Sequence, residues 1–126
     1  MRALFVDDEL EFLELMQKRL VRRGMEVATA PDGQTALNMV DEALAPGGEP
    51  FNIVVMDVRM PGMDGLETLR HMKQKAPKLP VLLLTGHACM GVAVEGLDLG
   101  AYDYMLKPVA ISELIIKMEE AVRSAV

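Results

Sequence analysis

Five short apolar runs, each about as long as a β-strand, alternate in this chain with longer segments of helical period, and four of the five run straight into polar residues. Ala3-Leu4-Phe5-Val6 meets Asp7 and Asp8, Ile53-Val54-Val55-Met56 meets Asp57, Leu82-Leu83-Leu84 meets Thr85, and Tyr104-Met105-Leu106 meets Lys107. Runs such as Ile53 to Met56 and Val81 to Leu84 lack polar alternation, as strands covered on both faces do. Repeated strand–helix alternation builds a parallel sheet with helices on both sides. The expected fold is α/β, a doubly wound (βα)5 three-layer sandwich. Strands are predicted at 3–7, 25–29, 52–57, 80–85 and 102–106, and helices at 9–23, 33–45, 64–76, 88–99 and 111–124. Gly24 is placed to end the first helix, Asp32 to cap the second, and residues 45–50 to form a loop. The last helix has Ala110 where a capping side chain is expected, with Ser112 as a substitute. A missing cap costs about 1 kcal/mol, which packing of Ile111, Leu114, Ile115 and Met118 can offset.

With 126 residues, 51% of them hydrophobic, the chain has the size of one domain, 1–126, able to bury a core without metal or disulfide support. A net charge of −6 argues against direct nucleic-acid or anionic-membrane binding, since both require a cationic surface. A protein partner or a cation fits better. The single cysteine, Cys89, excludes an internal disulfide and suits a reducing compartment. No secretory signal pattern or membrane-length apolar run is present, so a cytoplasmic location is expected.

In an open α/β sheet, ligands bind outside the carboxyl ends of the strands, and there the polar residues converge. If Asp7, Asp8 and Asp57 lie about 5 Å apart, each like-charge pair costs roughly 3 kcal/mol at an effective dielectric near 20. A hard divalent cation removes that cost. Mg²⁺ takes one or two carboxylates together with waters and phosphate oxygens, which leaves room for a phosphoryl group. A carboxylate can itself be the nucleophile toward phosphorus, provided that charge on the transferring group is neutralised. The metal would neutralise one oxygen, Lys107 another, and the Thr85 hydroxyl could serve a third. No general base is needed, because a carboxylate has no proton to lose. Singly, Asp8 reads as a turn residue, Lys107 as a surface charge and Thr85 as a turn former. Jointly, at the ends of the first, third, fourth and fifth strands, they read as a site.

Phe5-Val6-Asp7-Asp8-Glu9, Asp57-Val58-Arg59-Met60-Pro61-Gly62-Met63-Asp64-Gly65, Leu84-Thr85-Gly86-His87 and Gly100-Ala101-Tyr102-Asp103-Tyr104-Met105-Leu106-Lys107-Pro108 together resemble the response-regulator receiver domains of two-component signalling. The resemblance spans essentially the whole chain. It implies a flavodoxin-like sheet of order 2-1-3-4-5 and a cis peptide before Pro108. It further implies that Asp57 accepts a phosphoryl group from a sensor histidine kinase or histidine phosphotransfer domain. Asp7, Asp8, Asp57 and the backbone carbonyl of Arg59 would hold Mg²⁺, Lys107 would pair with the phosphoryl group, and Thr85 with Tyr104 would form a switch. The surface of the fourth helix, fifth strand and fifth helix would then change, to be read by a downstream effector, an output domain or a second phosphorylated copy. Arg59 and His87 stand two residues past Asp57 and Thr85, at positions that in this family flank the phosphoryl group and tune its hydrolysis.

Other features carry narrower expectations. Gly91 and Gly96 should loosen the fourth helix at about 1 kcal/mol each relative to Ala, and Ala88-Cys89-Met90-Gly91 offers an apolar docking patch. On the first helix, Phe12, Leu15, Met16 and Leu20 are expected to face the core, leaving Leu10, Leu13 and Val21 to receive a kinase or phosphotransfer helix. The 11 methionines read as adaptable core filling. His71 and His87 are too few and too distant for a zinc site. Cys89 reads as a small helix residue before a reactive thiol. The chain is not expected to be an enzyme beyond accepting and slowly losing a phosphoryl group. A Mg²⁺-dependent phosphohydrolase fits poorly, since such enzymes want two acids one residue apart on the first strand. A flavin module fits poorly because its phosphate loop would here be acidic, and the alternative of an unphosphorylated, receiver-like interaction module is disfavoured by the intact set of Asp57, Thr85 and Lys107.

Overall fold

A computed structural model describes residues 1–59, 64–86 and 89–125. Strands β1 (Arg2–Val6), β2 (Glu26–Ala30), β3 (Ile53–Asp57), β4 (Val81–Thr85) and β5 (Asp103–Leu106) alternate with helices α1 (Leu10–Val21), α2 (Gly33–Leu44), α3 (Gly65–Lys75), α4 (Met90–Asp98) and α5 (Ile111–Ser124). All neighbouring strands are parallel, in the order β2-β1-β3-β4-β5. The expected flavodoxin-like α/β sandwich is therefore the observed one.

Strand side chains alternate between the two faces, and the core divides accordingly. Val6, Val54, Met56 and Leu83 pack under α2, α3 and α4 with Leu37, Val40, Leu69, Met72 and Ala93. Phe5, Ile53, Val55, Leu82 and Leu84 pack under α1 and α5 with Leu13, Met16, Leu20, Leu114 and Met118. The central strands β1, β3 and β4 are buried on both faces, which explains their unbroken apolar runs.

Caps follow the sequence in part. Asp32 accepts a 2.7 Å hydrogen bond from the Thr35 amide, as expected, and Asp64 accepts one of 2.8 Å from the Glu67 amide at the start of α3. Ser112 does not take over as a cap: α5 starts after Ala110 without a side-chain cap and is held by its buried Leu114, Met118 and Ala121. The peptide before Pro108 is cis.

Two expectations are corrected by packing. Leu13 is 4% exposed and sits in the core with Met16 and Leu20, whereas Leu15 is 44% exposed. The buried stripe takes in Leu13 in place of Leu15, and Leu13 joins Phe5 and Leu84 in the core on that side of the sheet. Gly96 has a packing role besides: a Cβ there would come within 2.4 Å of Leu83 Cδ1, so its smallness lets the helix lie against β4. Cys89 is buried in the core rather than exposed in a docking patch, and Ala88 and His87 lie outside the described residues.

Candidate functional site

Pairing between strands brings the polar termini to one edge. Val6 is registered with Met56, so Asp7 and Asp57 emerge side by side, and the Asp7 amide extends the β1–β2 ladder with a 3.1 Å bond to the Ala30 carbonyl. Thr85 is registered with Leu106, and the Lys107 amide donates to the Thr85 carbonyl at 2.8 Å. Gly65 fixes the approach of α3, because a Cβ at that position would fall 2.5 Å from Val58 Cα, directly after Asp57.

Parity then sorts the side chains. Asp7, Asp57 and Lys107 follow Phe5, Val55 and Met105 by two residues and so leave the sheet on the α1/α5 side. Thr85 follows Leu83, and Tyr104 pairs in register with that same leucine, which puts both on the α2/α3/α4 side.

On the first side the charges are in contact. Lys107 Nζ donates to Asp7 Oδ2 at 2.6 Å, to Asp57 Oδ2 at 3.1 Å and to Glu9 Oε1 at 3.4 Å. The other oxygen of each aspartate is held by backbone, Asp7 Oδ1 by the Glu9 amide at 2.9 Å and Asp57 Oδ1 by the Arg59 amide at 3.0 Å. One oxygen from each of Asp7, Asp8 and Asp57 lies within 4.8 Å of the others. Asp7 is 1% exposed, the Asp57 side chain 12%, and Asp8 opens to solvent. Burial raises the Asp7 carboxyl above its ordinary 3.8, and the hydrogen bonds from Lys107 and the Glu9 amide only partly oppose it. Burial alone would lower the Lys107 ammonium, but its bonds to Asp7 and Asp57 outweigh that and raise it. Four carboxylates thus face one ammonium, a surplus of negative charge that a hard cation with oxygen preference would relieve.

On the second side, fewer polar contacts join the described residues. Thr85 is fully buried, and its hydroxyl donates to the carbonyl of the next residue, Gly86, at 3.2 Å. Tyr104 is half-buried against the α2/α3/α4 core. Arg59 is exposed at the rim. A concavity of about 550 Å³ lies at the opposite end of the sheet, among Ala43, Phe51, Leu79, Pro80 and Val122, away from every carboxylate of the cluster.

Two residues of the charged site escaped sequence reading. Glu9 reaches Lys107, and Phe12, expected in the core stripe, lies with its ring centroid 4.4 Å from Lys107 Nζ. Their three-residue spacing in the first turn of a helix was the available signal, because such residues share a face.

Comparison with known proteins agrees with the geometry. Residues 3–119 match the response regulator receiver domain family. The chain is 38% identical over 94% of its length to the transcriptional regulatory protein ZraR of Klebsiella oxytoca, covering 25% of that protein. It is 37% identical over 98% of its length to the response regulator MprA of Mycobacterium avium, covering 51%. Among solved structures, a receiver domain from Clostridium thermocellum superposes with a TM-score of 0.90 at 30% identity, covering 98% of this chain and 94% of that one. The receiver domain of NtrX from Brucella abortus gives 0.86 at 34%, covering 97% and 98%. The chain belongs to the response regulator receiver domain family and is the receiver part of a two-component system. It spans between a quarter and about half of the curated relatives named above.

Proposed function

We propose that Asp57 is the phosphoacceptor of a two-component phosphorelay. An oxygen of its carboxylate attacks phosphorus while the bond from phosphorus to the donor breaks. The electron pair leaves with the imidazole nitrogen of a phosphohistidine, or with acetate when acetyl phosphate is the donor. The product is an acyl phosphate, and attack by water later returns the carboxylate and inorganic phosphate. Lys107 carries the reading: its ammonium reaches Asp57 and Asp7 at once, so it stands where charge develops on the transferring oxygens. Asp7, Asp8, Asp57 and the backbone carbonyl of Arg59 would hold Mg²⁺, which when bound supplies further neutralisation of phosphoryl charge.

Thr85 and Tyr104 act as the switch. The Thr85 hydroxyl, which bonds the adjacent carbonyl, turns to the new acceptor oxygens, and Tyr104 moves into the space released, altering the α4–β5–α5 surface. That surface is read by an effector protein, an output domain or a second copy, in the cytoplasm, with no direct role in binding nucleic acid or membrane. No helix among the described residues is long and apolar enough to cross a membrane. The input side is α1, where Leu10 and Val21 are exposed. Arg59 and His87 tune hydrolysis of the acyl phosphate, His87 lying outside the described residues. Residues 1–126 act as one receiver domain.

Mass spectrometry after treatment with acetyl phosphate and Mg²⁺ should find one phosphoryl group on the parent and none on Asp57→Asn. Equal labelling of the two, or none on the parent, overturns the assignment. Leu10→Glu should slow transfer from a phosphohistidine protein and leave acetyl phosphate labelling intact.

A further inference from the structure

We propose that Phe12 is a positioning residue that holds the Lys107 ammonium beside Asp57, through the face of its ring, once a cation claims the carboxylate of Asp7. The inference rests on the phosphoacceptor reading of Asp57. Lys107 Nζ is 2.6 Å from Asp7 and 3.1 Å from Asp57, so its shorter bond is to the carboxylate that a metal would take. Glu9, at 3.4 Å, is largely exposed and is a weak, screened partner. The ring of Phe12, 4.4 Å from Nζ, is a neighbour of the ammonium that no metal can ligate. A cation over an aromatic face is attracted by the ring quadrupole, more strongly where water is partly excluded, and the Lys107 side chain is only 19% exposed.

The placement follows from the fold rather than from chance contact. Asp7, Asp57 and Lys107 all leave the sheet toward α1, and the first turn of α1 presents Glu9 and Phe12 on that side. Phe12 is half-buried, packed against the core under α1 on one flank and turned to the ammonium on the other. Without it, the four-carbon stem of Lys107 would be free to follow Glu9 outward when Asp7 is occupied, and the ammonium would have to be recovered in every transfer event.

The test replaces Phe12 by mono-, di- and trifluorinated phenylalanine, which weakens the ring quadrupole at nearly constant size, and separately by Leu and Tyr. Initial rates of acetyl phosphate labelling at saturating Mg²⁺ should fall stepwise with fluorination. They should be roughly 3- to 10-fold lower for Phe12→Leu and within about 2-fold of the parent for Phe12→Tyr. Mg²⁺ affinity should stay unchanged throughout. A second readout needs no chemistry: the ε-methylene protons of Lys107 should be shifted upfield by the ring current in metal-free and Mg²⁺-saturated parent protein, and lose that shift in Phe12→Leu. A flat fluorine series, or loss of the shift when Mg²⁺ is added to the parent, overturns the inference. Failure of the parent to label while the shift persists on Mg²⁺ addition would sink the reading of Asp57 instead, leaving the hold of Phe12 on Lys107 supported.

Discussion

The two faces of the sheet edge are built differently. On the α1/α5 side, Asp7 and Asp57 each have one oxygen on a backbone amide and the other on Lys107, which leaves little freedom to reorganise. On the α2/α3/α4 side, among the described residues, the buried Thr85 hydroxyl bonds its neighbour's carbonyl at 3.2 Å and Tyr104 packs against the core. Chemistry benefits from groups already in place, because reorganisation at the moment of reaction raises the barrier. The proposed switch would require two arrangements of similar free energy, and Thr85 and Tyr104 are the residues that would have to supply them. One strand, β5, serves both halves: Lys107 follows it on one face and Tyr104 lies within it on the other.

The largest effect should come from dividing the halves by mutation. Lys107→Ala should slow acetyl phosphate labelling of Asp57 on the order of 100-fold, as removal of a charge-stabilising group does. Thr85→Val, near in shape but without the hydroxyl, should slow it less than about 10-fold and chiefly weaken the phosphorylation-dependent shift of Tyr104, followed by NMR. Equal slowing would erase the distinction between a reactive half and a responsive half.

Next in size is the frame that both halves share. Gly65→Ala should cost about 1–3 kcal/mol in urea denaturation, because the added Cβ meets the backbone of Val58 and must push α3 away from the end of β3. A cost near zero would mean that the helix is free to shift there, and the charged half would be less rigid than its contacts imply.

A smaller, pH-linked effect distinguishes Asp7 from an ordinary paired carboxylate. Its folded pKa is raised, so the folded state binds more protons than the unfolded state between 3.8 and that raised value, and this group's contribution to stability falls as pH rises through the window. At neutral pH, charged Asp7 therefore opposes folding in metal-free protein. Asp7→Asn should raise Tm at pH 7 without Mg²⁺, lose that advantage below about pH 3.8, and be overtaken by the parent when Mg²⁺ is added. Lys107 has the opposite linkage: its raised pKa makes a stabilising contribution that is present below about 10.4 and lost as pH rises through the folded value. A lower Tm for Asp7→Asn at neutral pH without metal would refute the sign.

Least of all should be felt at the outer clamp of β5, where Lys117 bonds Asp103 at 3.0 Å and Glu120 at 3.4 Å with 29% of its side chain exposed. Lys117→Ala should cost less than about 1 kcal/mol. A larger loss, measured by thermal unfolding, would mean that α5 is held to β5 by charge rather than by Leu114, Met118 and Ala121.

Much of this was legible from residue order. Unbroken apolar runs in β1, β3 and β4 reported burial on both faces, Asp32 reported a helix start, and the polar residues ending the strands reported the functional edge. The exact buried stripe of α1 was not legible, because leucines at both 13 and 15 offer hydrophobic periodicity two stripes to choose from, and the one with Leu13 joins the core of Phe5 and Leu84. Residue order shows the backbone freedom of Gly96 but not that a side chain there would strike Leu83. Phe12 packs against the core as its period implies, but one-dimensional periodicity has no means of showing that the same ring also faces an ammonium.

Sequence alone determined the class of fold and the membership of the acidic cluster, because strand alternation and the end of each apolar run are local properties of the chain. Only tertiary structure decided which groups touch. Lys107 lies 100 residues from Asp7 and 50 from Asp57, and its choice of partners depends on register, strand parity and the seating of α1. Those are set by packing of the whole core, whose short-range forces act only after distant segments have been brought together.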